Sequence, residues 1–213
     1  MYTARKQLTQ ENVEETRSTI LRVAQQFFMR YGYRAVTTRQ LADACGLTQP
    51  ALYHHFADKQ ALYLAVVTEE LTNMKVAIER IVRRSDEVPE RLKSLASFLL
   101  SRIQYDLGLM LHDVRYELSP DARASLNVQF REGVIAPIAE VFAEGMRQQY
   151  LLTAEQGGLA PSPAAYLFMN IISSFAARTQ EDGSAPARQA QQGASAEAIV
   201  RILLHGMVSP SRS

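Results

Sequence analysis

Hydrophobic residues recur along much of the chain at the three- and four-residue spacing of amphipathic α-helices. The first of these stripes predicts a helix over about Glu14–Tyr31, and Gly32 follows it as a residue that can adopt the positive φ common at helix ends. The stripe consists of Ile20, Val23, Ala24, Phe27, Phe28 and Tyr31. No segment has the alternating pattern of a β-strand, so the sequence predicts an all-α fold.

Two short helices are predicted after the first one. Thr37 and Gln40 have the spacing of a capping box, and Gly46 ends the helix that they open. Thr48 caps the next helix, whose first turn contains Pro50 at a position where a missing N–H costs little. Two short helices joined by a glycine-containing turn and braced by a longer helix form a helix-turn-helix.

The second short helix has the residue types of a DNA-reading helix. The helix-turn-helix geometry places its N-terminal part in the major groove, where Thr48, Gln49 and Ala51 are small or polar. A glutamine side chain can pair with the edge of adenine. Side chains of the types that bind phosphates follow in the same stretch; they are Tyr53, His54 and Lys59. These residues predict binding to double-stranded DNA.

Two longer motifs resemble the signature of the TetR family of bacterial transcription regulators. The first is AVTTRQLADACGL at residues 35–47, and the second is ALYHHFADKQAL at residues 51–62. With the first helix, the resemblance covers about Glu14–Leu71. It implies a transcriptional repressor that binds a near-palindromic operator as a homodimer and responds to a small apolar ligand.

By this resemblance, particular residues of the two motifs face the DNA. Thr38, Tyr53, His54 and Lys59 would contact phosphates, and Thr48, Gln49, Pro50 and Ala51 would face the bases. Thr37 and Arg39, on either side of Thr38, complete the predicted DNA-binding set. The recognition helix contains no Arg or Lys, so we expect little readout of guanine from it.

The resemblance also implies the domain organisation. A three-helix DNA-binding domain would span residues 14–74, with its helix-turn-helix at about 37–56. A larger helical domain for ligand binding and dimerisation would span residues 75–213. Within it, Gly133 and Pro137 predict a kink near Ile135, and the segment Gln180–Ala194, rich in Gln, Ala, Gly and Ser, predicts a mobile loop.

The last two predicted helices are assigned to the dimer interface. They cover Pro163–Arg178 and Ser195–Val208, and in the family such helices pair with those of a second copy. The earlier of the two is apolar on almost all sides and needs additional cover. The last helix is expected to carry Ile199, Ile202 and Leu203 on one face.

A ligand pocket is expected in the larger domain, because the family usually houses one there. Met and aromatic side chains in this part of the chain suit an apolar ligand. The candidate lining residues are Phe98, Arg102, Tyr105, Met110, His112, Tyr116, Phe130, Phe142, Met146 and Met169.

Composition and charge are compatible with a cytoplasmic regulator that has no membrane partner. The chain is 47% hydrophobic and 21% charged, as ordinary globular proteins are. Its net charge is only +1, but the first 63 residues carry +3 and the remainder −2, which suits a DNA-binding head on a separate body. The single cysteine, Cys45, excludes an intrachain disulfide. The longest apolar run has about 14 residues, where a membrane helix needs about 20, and residues 1–15 lack a signal-peptide core.

An enzyme or a metal-binding protein is the alternative. His112, Asp113 and Glu117 lie on one predicted helix and could form a metal or acid–base cluster, although their spacing favours a solvated face. The chain has no glycine-rich phosphate loop, nucleophile elbow or Cys-x-x-Cys motif, so no catalytic residue, metal or cofactor is predicted. A protein-interaction module is a further alternative, and salt-dependent retention on DNA would separate the regulator from it.

Overall fold

Ten α-helices make up most of the structure, a computed structural model that describes residues 2–84, 87–102, 108–178 and 185–205. They are α1 Tyr2–Ala35, α2 Thr38–Ala44, α3 Gln49–His55, α4 Lys59–Val82, α5 Val88–Arg102, α6 Gly108–Glu117, α7 Pro120–Phe130, α8 Ala136–Arg147, α9 Pro161–Arg178 and α10 Ala185–His205. No β-strand occurs within these ranges, and the predicted all-α fold is confirmed.

Helix α1 starts at Tyr2, so the predicted start near Glu14 is wrong. The residues before Glu14 are mostly polar and give no apolar stripe, but Gln, Glu, Lys and Arg are good helix formers and extend the helix. At the other end, Gly32 leaves helical geometry with φ 78° and ψ 163°. Glycine adopts this positive φ without steric cost, and the regular part of α1 ends where the sequence predicted.

The start signals predicted for α2 and α3 are present, and α4 is capped as well. The Thr37 hydroxyl accepts a hydrogen bond from the Gln40 backbone N–H at 3.2 Å, and the Gln40 side-chain oxygen accepts one from the Thr37 backbone N–H at 2.8 Å. The Thr48 hydroxyl caps α3 by accepting from the Ala51 backbone N–H at 3.4 Å. The Asp58 carboxylate accepts a 2.7 Å hydrogen bond from the first turn of α4. These caps satisfy N–H groups that have no partner inside their helices, so the boundaries of α2, α3 and α4 are fixed locally.

The described helices form two compact units. The first runs to Glu70 and also includes Leu109–Leu126, so α6 and most of α7 belong with α1, α2, α3 and the first half of α4. The second comprises Leu71–Gly108 and the chain from Asn127 onward. Helix α4 therefore contributes residues to both units.

The core of the first unit is built on α1. One face of this helix buries Ile20, Ala24 and Phe28. The ring of Tyr63 in α4 meets Phe28 at a centroid distance of 4.9 Å and Tyr33 at 5.0 Å. Helices α2 and α3 add buried apolar residues, namely Leu41, Ala42 and Leu52. The aromatic cluster thus joins the end of α1 to the first half of α4.

The second unit combines an apolar core with an ion pair whose arginine is buried. Phe142 of α8 and Phe168 of α9 are fully buried, with an edge-to-face centroid distance of 6.0 Å. Arg91 of α5 is buried and donates to the Glu144 carboxylate at 2.8 Å and to the Val82 carbonyl at 3.2 Å. A buried charge is costly unless it is paired, so these bonds hold α5 against α8 and the end of α4.

The sequence predicted two irregular regions, a kink near Ile135 and a loop at Gln180–Ala194, and only the first is irregular where the structure describes it. A π-helical turn occupies Arg131–Ile135, where the sequence predicted a kink, and its Gly133 is buried. A Cβ added to Gly133 would lie 3.3 Å from the Cβ of Lys75, so the close approach there favours glycine. The predicted loop Gln180–Ala194 is wrong over residues 185–194, which form the first part of α10. That segment is dominated by Ala and Gln, whose helix propensity is high.

Candidate nucleic-acid interface

A chain of hydrogen bonds links exposed side chains of α2 and α3. The Gln49 amide donates to the Thr38 hydroxyl at 2.8 Å, and the same hydroxyl is 3.1 Å from the Tyr53 hydroxyl. Gln49 and Tyr53 are exposed and Thr38 is half-buried. Three polar side chains from two helices are therefore ordered on the outer side of the helix-turn-helix.

Helix α3, which carries two of these groups, is anchored in the core of its unit. Leu52 is fully buried and Phe56, which directly follows the helix, is buried as well. The Arg17 guanidinium lies 4.9 Å from the centroid of the Phe56 ring and adds a cation–π contact from α1. Leu52 and Phe56 thus anchor α3 in the core, while Gln49 and Tyr53 are exposed.

The other residues predicted to contact DNA lie at or near the surface of this unit. Exposed members are Thr37, Arg39, Thr48, Pro50 and His54, and half-buried members are Ala51 and Lys59. Two of the exposed hydroxyls, those of Thr37 and Thr48, also cap helices. The residues predicted from the sequence to bind DNA are therefore accessible, and their contacts with DNA remain a prediction.

Lys59, at the start of α4, lies against an aromatic ring. Its Nζ is 4.2 Å from the centroid of the Tyr33 ring, within the range of a cation–π contact. Burial lowers the pKa of Lys59, while the carboxylates of Glu117 and Asp113 act in the opposite direction. The ammonium group thus contacts an aromatic ring and is stabilised in its charged form by two carboxylates of α6.

Two carboxylates of α6 bind the end of α1, which the sequence did not predict. Asp113 accepts a hydrogen bond from the Tyr33 backbone N–H at 2.7 Å, and Glu117 pairs with the Arg34 guanidinium at 2.7 Å. A signal was present in the sequence, because residues 113 and 117 are four apart and share one helix face. Their partners, however, lie about 80 positions earlier in the chain.

The hydrogen bond of Asp113 and the ion pair of Glu117 argue against the alternative in which these residues form a metal or acid–base cluster with His112. Asp113 and Glu117 are engaged with α1, and the His112 side chain lies outside the described residues. Among the residues whose side chains are described, no group of three or more His, Cys, Asp or Glu could hold a metal ion. The structure gives the enzyme alternative no support.

The residues predicted to line a ligand pocket fall in both units. Tyr116 is 62% exposed in the first unit, where it borders a cavity of about 420 Å³ together with Tyr31, Arg34 and Asp113. In the second unit, Phe142 and Met169 are buried, whereas Phe98, Arg102, Phe130 and Met146 are half-buried. Tyr105 lies outside the described residues, as do the side chains of Met110 and His112. The pocket assignment remains a prediction.

Comparison with known proteins identifies the helix-turn-helix segment. Residues 20–66 match the family of bacterial regulatory proteins described as the tetR family. This segment therefore has the sequence of a TetR-family DNA-binding region. The family resemblance of the motifs at residues 35–47 and 51–62 is confirmed, and the match also includes the apolar stripe of α1 from Ile20 to Tyr31.

Curated transcription regulators are similar to part of this chain. It is 30% identical over 117 residues to the transcriptional activator FasR of Mycolicibacterium smegmatis, covering 54% of the chain and 53% of FasR. It is 35% identical over 81 residues to the transcriptional repressor AcnR of Corynebacterium glutamicum, covering 36% of the chain and 43% of AcnR. The matched part thus spans about half the length of these curated relatives.

Similarity to solved structures covers most of the chain. The crystal structure of AibR in complex with isovaleryl coenzyme A and operator DNA superposes with a TM-score of 0.68 at 18% identity, covering 89% of this chain and 98% of AibR. At this identity the similarity concerns the fold alone. In the part of the chain that the structure describes, every helix is too short or too polar to span a lipid bilayer.

Proposed function

We propose that the chain is a transcriptional regulator that binds double-stranded operator DNA as a homodimer. The observation that carries this proposal is the exposed series of hydrogen bonds from Gln49 through Thr38 to Tyr53. Polar groups ordered on the outer side of a rigid, capped helix-turn-helix suit base edges and phosphates, which also require fixed donors and acceptors.

In this proposal α3 enters the major groove and Gln49 reads adenine. An amide nitrogen carries two hydrogens, so Gln49 can keep its bond to Thr38 while its second hydrogen and its oxygen form the bidentate pair with adenine. The bases next to that adenine are approached by Thr48, Pro50 and Ala51. Phosphates are bound by Thr38, Tyr53, His54 and Lys59, and the DNA backbone is bordered by Thr37 and Arg39. Lys59 and Arg39 would then supply the fixed positive charges of this set.

The second part of the proposal is dimerisation through α9 and α10. These packed neighbours leave large apolar side chains exposed: Tyr166 is 44%, Leu167 40% and Ile202 59% accessible. Exposed apolar groups on adjoining helices favour association with an identical surface of a second copy. A two-fold dimer would present two copies of α3 to a near-palindromic operator.

The third part is repression relieved by a small apolar effector. AcnR is named as a repressor, FasR as an activator, and AibR was solved with an acyl coenzyme A and operator DNA. The AibR complex supports control by a small molecule, and we propose repression because a DNA-binding dimer needs no further contact to block a promoter. We propose no catalytic role and no cofactor, and operator binding in a bacterium would place the chain in the cytoplasm.

Selection of DNA from a random pool by the purified full chain tests the proposal. We expect enrichment of a near-palindrome whose half-sites lie about 10 base pairs, or a multiple of that, apart. Gln49→Ala should change the enriched sequence, whereas Gln26→Ala, at an exposed glutamine of α1, should not. Failure of the wild-type chain to enrich any sequence would contradict the proposed function.

The direction of control needs a separate measurement. The selected operator can be placed over the promoter of a reporter in cells with and without the chain. Repression predicts that reporter output falls when the chain is present. An increase would instead assign the chain to the activators, with the DNA-binding part of the proposal unchanged.

A further inference from the structure

Asp113 is a buried carboxylate within the unit that carries the candidate DNA-binding residues. Only 5% of this residue is exposed, and its Oδ2 accepts a hydrogen bond from the Tyr33 backbone N–H at 2.7 Å. The ψ of 163° at Gly32 turns the following peptide out of helical orientation, which directs that N–H toward α6. A backbone N–H removed from water requires an acceptor, and Asp113 provides a charged one.

Tyr33 in turn contacts Lys59. The Tyr33 ring packs against Tyr63 and Phe28, with centroid distances of 5.0 Å and 6.0 Å. The Lys59 Nζ lies 4.2 Å from the centroid of the same ring. Asp113, Tyr33 and Lys59 therefore form a continuous series of contacts from α6 through the end of α1 to the start of α4.

We propose that Asp113 positions Lys59 for binding a DNA phosphate. The carboxylate fixes the Tyr33 backbone, and the Tyr33 ring fixes the ammonium group. Asp113 is a positioning residue, because it acts through Tyr33. The inference rests on the proposed DNA-binding function. It assigns α6 a role in DNA binding, because α6 carries the carboxylate that positions Lys59.

The electrostatics of α6 support the same role. Burial lowers the pKa of Lys59, and the carboxylates of Glu117 and Asp113 counteract this by stabilising the charged form. Glu117 is also paired with Arg34, which ties the end of α1 to α6 a second time. An aromatic ring and a negative field from α6 together keep a partly desolvated lysine both charged and in place.

A double-mutant cycle on operator affinity distinguishes positioning from a merely structural role. Lys59→Ala should weaken binding about tenfold and lower the salt slope by about one. Asp113→Ala should weaken it about threefold to tenfold, and the double variant should be within about twofold of Lys59→Ala, because the two residues act in series. Losses that multiply in the double variant would overturn the proposal.

Conservative and control variants complete the cycle. Asp113→Asn keeps an oxygen acceptor for the Tyr33 N–H and should recover most of the affinity that Asp113→Ala loses. Asp121→Asn removes an exposed carboxylate of α7 in the same unit and should bind as the wild type does. If Asp113→Ala does not fold, Tyr33→Leu takes its place in the cycle, and an unchanged affinity for that variant would overturn the proposal.

A second readout does not require DNA. The Tyr33 ring should shift the NMR resonances of the Lys59 side-chain methylene next to the ammonium group, and this ring-current shift should shrink in Asp113→Ala but persist in Asp113→Asn and Asp121→Asn. A shift that survives in Asp113→Ala would overturn the positioning role. If the wild-type chain binds no operator while the shift behaves as expected, the proposed function fails and the link from Asp113 to Lys59 stands.

Discussion

The Thr38 hydroxyl accepts a hydrogen bond from the Gln49 amide at 2.8 Å, across the turn between α2 and α3. The same hydroxyl lies 3.1 Å from that of Tyr53, so one threonine of α2 contacts two side chains of α3. Gln49 is the proposed base-reading residue and Tyr53 a proposed phosphate ligand. Thr38 therefore links the proposed base-reading residue to the proposed phosphate ligand.

Gln49→Ala should relax the preference for one base in each half-site. The expected cost is about 1–3 kcal/mol for the preferred base and little for the others, because the amide supplies a bidentate pair. Thr38→Val, which removes the hydroxyl and keeps the side-chain volume, should reproduce part of this effect by leaving Gln49 less ordered. Dissociation constants for the operator, its single-base variants and random DNA measure both changes. Equal losses on operator and random DNA would show that Gln49 does not read a base.

Thr37→Ala should destabilise the folded chain by about 1 kcal/mol, within a range of about 0.5–2 kcal/mol, because it removes the cap of α2. The side chain of Thr37 accepts the Gln40 N–H at 3.2 Å, and alanine cannot replace that bond. Urea unfolding followed by helical circular dichroism gives the difference. Ser18→Ala, which removes a hydroxyl at an exposed position inside α1, is the matched control and should be neutral or slightly stabilising. A loss no larger than the control's would mean that the capping box is dispensable.

Stability should fall with acid because of the Arg91–Glu144 pair. The hydrogen bond from Arg91 lowers the pKa of Glu144. The resulting stabilisation is present above the ordinary glutamate pKa of about 4.3 and is lost as the pH falls through the lower folded-state value. The free energy of unfolding of the wild type should therefore drop more between about pH 7 and about pH 3 than that of Glu144→Gln.

A surface ion pair provides the control for that acid dependence. Glu140 and Arg147 are 2.8 Å apart but both side chains are about 60% exposed, so Glu140→Gln should retain the wild-type pH profile. Parallel profiles for wild type and Glu144→Gln would place the acid-sensitive interaction elsewhere in the chain.

Leu167→Glu combined with Ile202→Glu should convert the proposed dimer into monomers. Both side chains are exposed on α9 and α10, and an interface formed from them would have to bury the new charges without partners. Sedimentation velocity at micromolar concentration measures the oligomeric state, and operator affinity should fall with it. Val76→Glu, at an exposed apolar position of α4, should leave the dimer intact. A wild-type chain that sediments as a monomer would remove the basis of this prediction.

Features set by neighbouring residues were predictable from the sequence. The caps at Thr37, Thr48 and Asp58 and the positive φ at Gly32 each depend on a few adjacent positions. The same is true of the inward Leu52 and Phe56, whose spacing alone places them on one side. The helix-turn-helix could be built from such local signals.

Other features depend on contacts that no local pattern contains. The bond from Tyr33 to Asp113 joins residues 80 positions apart, so no pattern near the carboxylate indicated its partner. On α10, Ile202 was expected on the same face as Ile199 and Leu203, but those two are buried and Ile202 is exposed. Which apolar residues of a largely apolar helix are internal depends on the helices packed against it, here α5 and α9.

The assignment of Leu109–Leu126 to the first unit bears on recombination between relatives. A chimera that joined residues up to Glu70 of this chain to the body of another protein would bring a foreign segment to the place of α6. The Tyr33 amide and the Arg34 guanidinium would then depend on carboxylates that the donor had no reason to supply. Transfer of the complete first unit to another protein would require two separate segments of this chain, residues 1–70 and 109–126. A gene fusion at a single junction would supply only one of them and would leave the contacts with α6 unmatched.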